Sequence, residues 1–336
     1  MNLLFYLLVF LLVLIVSSTT NKLLPFLPMP LIQILLGIGI GLCLPNNQYH
    51  LDTELFLALV IGPLLFREAQ EADITSILKH WRIVLYLIFP VIFISALSMG
   101  GVAHVLWASL PLAACVAVGA ALGPTDLVAF ASLSQRFSFP KRVSNILKGE
   151  GLLNDASGLV AFRMALIAWT TGTFSLTQAG TSLAISIVGG FAVGFITALI
   201  NRFLHTFLLS VRATDIASEL LLELSLPLLT FFVAEEIHVS GIIAVVVAGI
   251  LKASRFKKIN LLEAQVDTVT ETVWQTVTFM LNGSVFVILG MELEMIAEPI
   301  LKSAFYNKVL LLLSVFLLTF LLFAIRFVMI YGFYAF

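Results

Sequence analysis

Charged residues are scarce in this chain: Lys, Arg, Asp and Glu make up only 11% of its 336 residues, against 60% hydrophobic residues. The formal net charge is -1, so there is no excess of positive charge with which to bind nucleic acid. The mean hydropathy of +1.10 is higher than that of soluble domains of this length. The composition therefore excludes a soluble globular domain and predicts a membrane protein.

Cysteine is nearly absent as well. Cys43 and Cys115 each lie in an apolar stretch, without a partner at metal-binding or redox spacing. We interpret both as small hydrophobic residues, not as a disulfide, zinc ligands or nucleophiles, and we expect no resident cofactor. The first apolar segment lacks the basic N-terminal region of a signal peptide, so we expect a retained helix there.

Long apolar runs recur from one end of the chain to the other. A helix needs about 20 mostly apolar residues to cross a bilayer, and this length divides the chain into about eleven predicted spans. The pattern predicts an all-α, polytopic membrane protein with a single transmembrane domain over residues 1–336. The predicted spans are Leu3–Val16, Leu31–Leu44, Leu55–Phe66, Ile83–Val105, Leu110–Leu133, Ile146–Thr170, Ser182–Leu204, Leu220–Ala234, Gly241–Leu251, Trp274–Met291 and Val309–Phe333.

The distribution of basic residues predicts the orientation of these spans. If the N-terminus lies outside, most of the 18 Lys and Arg residues fall in inner loops. Short cytoplasmic loops carry an excess of Lys and Arg. We therefore expect a multi-pass protein of the cell (inner) membrane with its N-terminus outside and its C-terminus in the cytoplasm.

The fifth predicted span is interrupted by Gly123-Pro124, which are followed by Thr125 and Asp126. Proline removes an amide donor and clashes with the preceding turn, so nearby carbonyl groups lose their helical partners. Such freed backbone is tolerated at membrane depth where protein or a wet cavity satisfies it, and in transporters it binds ions. A simple proline kink, with Asp126 capping the next half-helix, explains the same residues equally well.

The sixth predicted span favours the ion site. Glu150, Asn154 and Gly158 recur at intervals of four residues on one helix face, and Asp155 follows Asn154. A charge at the bilayer centre costs about 3 kcal/mol even on mild scales, so these acids are not expected to face lipid. Asp155 can hold either a proton or a cation. Hard cations such as sodium prefer oxygen ligands, which Asp126, Asp155, Thr125 and freed carbonyls can supply.

Arg326 lies deep in the last predicted span. An unpaired guanidinium there is costly, and a carboxylate is its natural partner. Glu150 is the first candidate for a structural ion pair with Arg326, and Glu223 in the eighth span is the rival.

Taken in order, these motifs resemble the monovalent cation:proton antiporters, specifically the sodium/proton exchanger branch that carries Asn-Asp instead of Asp-Asp. The similarity runs over almost the whole chain and ends with Arg326 in the last span. The matching segments are Gly123-Pro124-Thr125-Asp126-Leu127-Val128-Ala129, Lys148-Gly149-Glu150-Gly151-Leu152-Leu153-Asn154-Asp155-Ala156 and Leu281-Asn282-Gly283-Ser284-Val285-Phe286-Val287-Ile288-Leu289-Gly290.

The resemblance implies a transporter, not an enzyme. It implies that Asp155 binds the sodium or lithium ion and the proton, that Thr125 and Asp126 lie at an unwound crossing, and that Asn154 shapes the site. It also implies inverted repeats, a homodimer and electroneutral exchange, since one titrating Asp is present instead of two.

Three departures from the family pattern limit what carries over. Gly151 stands where the family often has Ser one turn before the key Asp, and an expected acid in the third span is displaced to Arg67-Glu68. The family continues for roughly two more spans, the first of them a broken helix, whereas this chain ends at Phe336. The second repeat is therefore expected to be incomplete, as in a truncated product or a shortened relative with altered or lost activity.

Two other functions fit some of the same residues. An intramembrane aspartyl protease also uses two membrane carboxylates, but neither Asp126 nor Asp155 lies in the Gly-x-Gly-Asp context of that family. A cation channel or a non-transporting scaffold is the stronger alternative. Transport of protons only in exchange for a cation distinguishes an antiporter from a channel.

Overall fold

The computed structural model describes residues 2–43, 52–73, 75, 79, 81–125, 130, 139–172, 176–211, 215–253, 261–302 and 308–335. All regular secondary structure in these residues is helical, as the composition predicts. Two helical segments contain a π-turn, which joins α3 to α4 and α5 to α6. The helices are α1 (Asn2–Leu23), α2 (Met29–Cys43), α3 (Thr53–Phe56), α4 (Gly62–Glu71), α5 (Trp81–Tyr86), α6 (Ile92–Leu106), α7 (Leu112–Leu122), α8 (Lys141–Thr171), α9 (Leu176–Ser210), α10 (Ile216–Glu236), α11 (Gly241–Ala253), α12 (Leu261–Lys302) and α13 (Lys308–Ala335).

Ten of the eleven predicted spans lie on one helical segment of the described structure, counting each π-turn as part of its helix. The fifth, Leu110–Leu133, is matched by helix only over Leu112–Leu122, and most of its second half lies outside the described residues. Among the described residues, five helical stretches are long and apolar enough to cross a bilayer, and five shorter apolar helices accompany them. The long stretches are Trp81–Leu106, Ala184–Ser210, Ile216–Glu236, Thr268–Ala297 and Val309–Gly332.

The two π-turns lie at prolines. The π-turn Leu57–Ile61 precedes Gly62 and Pro63, and the π-turn Leu87–Val91 contains Pro90. Proline has no amide hydrogen and disturbs the regular α-helical ladder, and a wider turn accommodates this disturbance.

The described helices fall into two compact units. The first unit contains α1–α4, α9 from Gly189 onward, and α10–α12. Within it, α2 and α12 approach each other closely at Gly37 and Gly290. A Cβ on Gly37 would lie 2.2 Å from the carbonyl oxygen of Val287, so only glycine permits this distance.

The second unit contains α5–α8, α9 up to Val188, and α13. One buried cluster joins Ala96 of α6, Ala120 of α7 and Ala161 of α8, whose small side chains let the three helices pack closely. The phenol of Tyr86 donates a hydrogen bond to the carbonyl oxygen of Met329 at 3.1 Å, which links α5 to α13. These contacts position α7, α8 and α13 around the candidate site.

Candidate functional site

The predicted interruption of the fifth span is present in the structure. Helix α7 ends at Leu122, and Gly123 is its buried C-terminal cap. Pro124 and Thr125 are not helical, so the chain leaves the helix at the dipeptide that the sequence singled out. Asp126 lies outside the described residues.

One face of α8 packs against this break. Glu150 and Asn154 have 2% and 0% of their surface exposed, and Gly158 is buried one turn further along. A Cβ on Gly158 would lie 2.3 Å from Cγ of Pro124, so the proline ring occupies the space that a side chain would need. The predicted face of α8 is therefore the face that meets the broken end of α7.

Thr125 connects the break to the two polar side chains of α8. The amide nitrogen Nδ2 of Asn154 donates a hydrogen bond to Oγ1 of Thr125 at 2.6 Å. The Thr125 hydroxyl in turn donates to Oε1 of Glu150 at 3.4 Å. The remaining amide oxygen, Oδ1 of Asn154, is buried and has no hydrogen-bond partner in the described structure.

Arg326 of α13 completes the cluster. Its Nη1 lies 3.2 Å from Oε1 of Glu150, and the exposed fractions of the two side chains are 18% and 2%. Its Nη2 donates a hydrogen bond to the carbonyl oxygen of Gly123 at 2.7 Å. The rival partner, Glu223, lies in the first unit and contacts Lys252 at 3.3 Å. The carboxylate of Glu150, not that of Glu223, therefore compensates the positive charge of Arg326.

The structure brings together four of the predicted site residues: Thr125, Glu150, Asn154 and Arg326. The backbone of Asp155 is part of α8, immediately after Asn154, but its side chain lies outside the described residues. In the described part of the chain, no three His, Cys, Asp or Glu side chains cluster as metal ligands do.

Two polar contacts near the site were not expected from the sequence. One is the hydrogen bond from Arg326 to the backbone of Gly123. The other joins the buried hydroxyl of Ser157 in α8 to the carbonyl oxygen of Ile88 at 3.1 Å, within the second π-turn. Pro90 in the fourth predicted span was the available signal for this irregular turn.

A second set of polar contacts lies in the first unit, and we call it the first-unit polar chain. It links α4, α10, α11 and α12 through hydrogen bonds and ion pairs, including Arg67 Nε to Glu71 Oε1 at 2.7 Å and Gln70 Nε2 to Glu223 Oε1 at 2.9 Å. Its members are Arg67, Gln70, Glu71, Glu223, Lys252 and Glu271.

A family model described as the transmembrane sodium/hydrogen exchanger matches residues 7–336 of this chain. The chain belongs to this sodium/hydrogen exchanger family. The family is one of transporters, and together with the apolar helices it makes the chain a multi-pass membrane protein. Membership agrees with the resemblance that the motifs of α7, α8 and α12 indicated.

Two Bacillus relatives of the exchanger family are similar over nearly the whole chain. Each is named a sodium, potassium, lithium and rubidium/H(+) antiporter. The Bacillus subtilis protein is 35% identical over 328 residues, or 97% of this chain and 49% of the relative. The Bacillus pumilus protein is 34% identical over 319 residues, or 95% and 48%. The chain thus spans about half the length of these relatives.

A solved exchanger structure shows the same fold. The sodium proton antiporter MjNhaP1 from Methanocaldococcus jannaschii superimposes with a TM-score of 0.64 at 19% identity, covering 87% of this chain and 71% of the other. The predicted inverted-repeat antiporter fold is therefore confirmed.

Proposed function

We propose that this chain is an electroneutral antiporter that exchanges one sodium or lithium ion for one proton at Asp155. The names of the two Bacillus relatives support cation/proton exchange as the activity, and they include potassium and rubidium among the ions of those proteins. We propose no resident cofactor, since the cation and the proton are the substrates.

The observation that carries this proposal is the unpartnered Oδ1 of Asn154. A fully buried amide oxygen without a donor is costly, and a bound cation would satisfy it. The other end of the same amide is held by Thr125, so the oxygen has a fixed direction. Thr125 and Asn154 therefore offer oxygen atoms of the kind that hard cations prefer.

We assign the exchange itself to Asp155. It follows Asn154 in α8, and Asp126 follows Thr125 in the chain, so both acids are adjacent in sequence to residues of the polar cluster. Glu150 is already paired with Arg326. Asp155 alone gives up its proton when the cation enters with Asp126 as a further ligand. One positive charge then replaces another, which makes the exchange electroneutral.

We further propose that the protein functions as a homodimer in the cell (inner) membrane, with its N-terminus outside and its C-terminus in the cytoplasm. The distribution of Lys and Arg supports this orientation. The alternative is a truncated, non-transporting relative or a cation channel, which the experiment below separates from an exchanger.

The test is sodium-induced fluorescence dequenching of a pH-sensitive dye in everted vesicles. The vesicles come from cells that lack their own sodium/proton antiporters and express either the wild type or Asp155→Asn. We expect sodium and lithium to cause dequenching with the wild type and not with Asp155→Asn. Asp215→Asn is the matched control, because Asp215 caps α10 on the surface, outside the site; this variant should respond like the wild type.

The same vesicles test the coupling. Dequenching by an electroneutral exchanger persists when valinomycin and potassium clamp the membrane potential. A channel moves the cation without displacing protons and gives no coupled signal under this clamp. An equal response from wild type and Asp155→Asn would remove Asp155 from the mechanism.

A further inference from the structure

The guanidinium of Arg326 contacts two different elements at once. Nη1 lies 3.2 Å from the carboxylate of Glu150 in α8, and Nη2 donates to the carbonyl oxygen of Gly123 at 2.7 Å. The shorter of the two contacts is the one to the backbone. An ion pair alone therefore does not describe what Arg326 does.

The carbonyl of Gly123 lies just beyond the last residue of α7. The carbonyl groups at this end of a helix lack intrahelical donors and carry the negative end of the helix dipole. Gly123 is buried, so its carbonyl needs a hydrogen-bond donor. A guanidinium both donates the hydrogen bond and places a positive charge at this end of α7.

A contact at Gly123 also determines where Thr125 lies. Only Pro124 separates the two residues, and the proline ring fixes its own backbone φ angle. The ring is packed over Gly158 of α8, where it leaves no room for a Cβ. The segment leading to Thr125 is thus held at two points, by Arg326 at the carbonyl of Gly123 and by α8 at Pro124.

We propose that Arg326 is a positioning residue for cation binding: by holding the carbonyl of Gly123, it keeps Thr125 at hydrogen-bond distance from Asn154. This inference rests on the proposed function, because it concerns the same cation site. Compensating the charge of Glu150 is a separate task of the same guanidinium. The two tasks predict different results when both charges are removed together.

The decisive variant is Glu150→Gln combined with Arg326→Met. It removes both charges, and the glutamine retains an oxygen that accepts the hydrogen bond of Thr125. Replacement of a buried ion pair by neutral side chains is often tolerated by the fold. If Arg326 only compensated Glu150, the double variant would transport like the wild type. If Arg326 also positions the end of α7, the double variant leaves the carbonyl of Gly123 without its donor, and the affinity for the cation falls.

We expect the double variant to raise the sodium concentration for half-maximal dequenching at least about tenfold, as the loss of residues that orient metal ligands does. The maximal response per folded transporter should change little. Arg326→Lys, which keeps the charge but not the planar fork, should also raise this concentration. Arg163→Met is the matched control, because Arg163 is an exposed arginine of α8. Its substitution should leave the half-maximal sodium concentration unchanged.

A wild-type sodium dependence in the double variant would overturn the proposal. So would a reduced maximal response at unchanged half-maximal concentration, which indicates only fewer folded molecules. If the double variant does not fold, Arg326→Lys is the test: a raised half-maximal sodium concentration supports the proposal, and an unchanged one overturns it.

A second measurement separates this inference from the proposed function. Hydrogen–deuterium exchange of the peptide covering Leu112–Thr125 requires no transport, so it remains informative even if the wild type shows no sodium-coupled signal. We expect faster exchange near Gly123 in the double variant and unchanged exchange over Ile92–Leu106. Equal exchange near Gly123 in wild type and double variant would overturn the positioning role.

Discussion

Arg67 of the first unit and Arg326 of the second unit are similarly buried, with 12% and 18% of their side chains exposed. Their carboxylate partners differ. Glu71 and Glu271, which pair with Arg67, are 61% and 49% exposed, whereas Glu150 is 2% exposed. The same type of ion pair therefore has one member at a surface in the first unit and both members inside the protein in the second.

This difference in burial determines how much each ion pair contributes to the stability of the fold. An exposed carboxylate is already well solvated, so its ion pair adds little stability and is screened by salt. A buried carboxylate has lost that solvation, and removing it leaves the guanidinium without compensation. We infer that the two exposed partners of Arg67 tolerate substitution and that the cluster around Arg326 does not.

The largest effect is expected for Glu150→Ala. This substitution leaves Arg326 uncompensated and empties a fully buried site, so we expect a loss of about 3–5 kcal/mol in stability. The measurement is the thermal unfolding of the purified protein in detergent. A loss as small as that of Glu71→Ala would show that burial does not distinguish the two units.

The next effect is expected for Gly158→Ala. The new Cβ would meet the ring of Pro124 at 2.3 Å, and a proline ring cannot rotate away, so the break must shift from α8. Overpacking of this kind costs about 1–3 kcal/mol. Gly101→Ala in α6 is the matched control, because a Cβ there meets nothing within 4 Å. Thermal unfolding of both variants should show a loss only for Gly158→Ala.

A small effect is expected for Glu71→Ala. Removal of this exposed partner of Arg67 should cost less than about 1 kcal/mol. The loss should shrink further in about 1 M choline chloride, because that salt screens exposed charges and choline is a poor mimic of sodium. A loss that is independent of salt would contradict the view that the pair of Arg67 and Glu71 is solvated.

The smallest effect on stability is expected for Asp215→Asn, because Asp215 is exposed. Its side chain accepts hydrogen bonds from Ser218 at the start of α10, and these bonds lower the pKa of the Asp215 carboxyl. A lowered pKa means that the stabilisation is present above the ordinary pKa and is lost as the pH falls through the folded-state value. In thermal unfolding at pH 7, Asp215→Asn should therefore unfold at a slightly lower temperature than the wild type. This difference should disappear in acid. A constant difference would argue against the carboxylate as its source.

Much of the fold followed from length and hydropathy. The spans were predicted because the bilayer imposes a minimum apolar length, and the end of α7 at Leu122 was predicted because proline cannot continue a helix. The partner of Arg326 was predictable too. Few carboxylates lie at membrane depth, so a charge that must be compensated there has few choices.

Other features had no signal of that kind. The hydrogen bond from Arg326 to Gly123 involves a backbone carbonyl, which every residue carries, so no side-chain pattern marks it. Glu235 lies in sequence at the outer edge of its predicted span, a position typical of a solvated side chain. In the structure it is half-buried and accepts a hydrogen bond from the amide of Gly241 at 3.2 Å, since α11 begins so soon after α10 ends.

The π-turn at Leu87–Val91 contains one residue more than an α-helical turn, and this extra residue affects the orientation of all of α6. Each residue added to a helix rotates everything that follows by about 100°, so the extra residue in this turn determines which face of α6 points inward. Deletion of the exposed Phe89 would remove one residue from this turn and rotate Ser95 and Ala96 away from their present neighbours. We therefore expect relatives that differ by a single residue in this span to be repacked along all of α6, although their loops are of equal length.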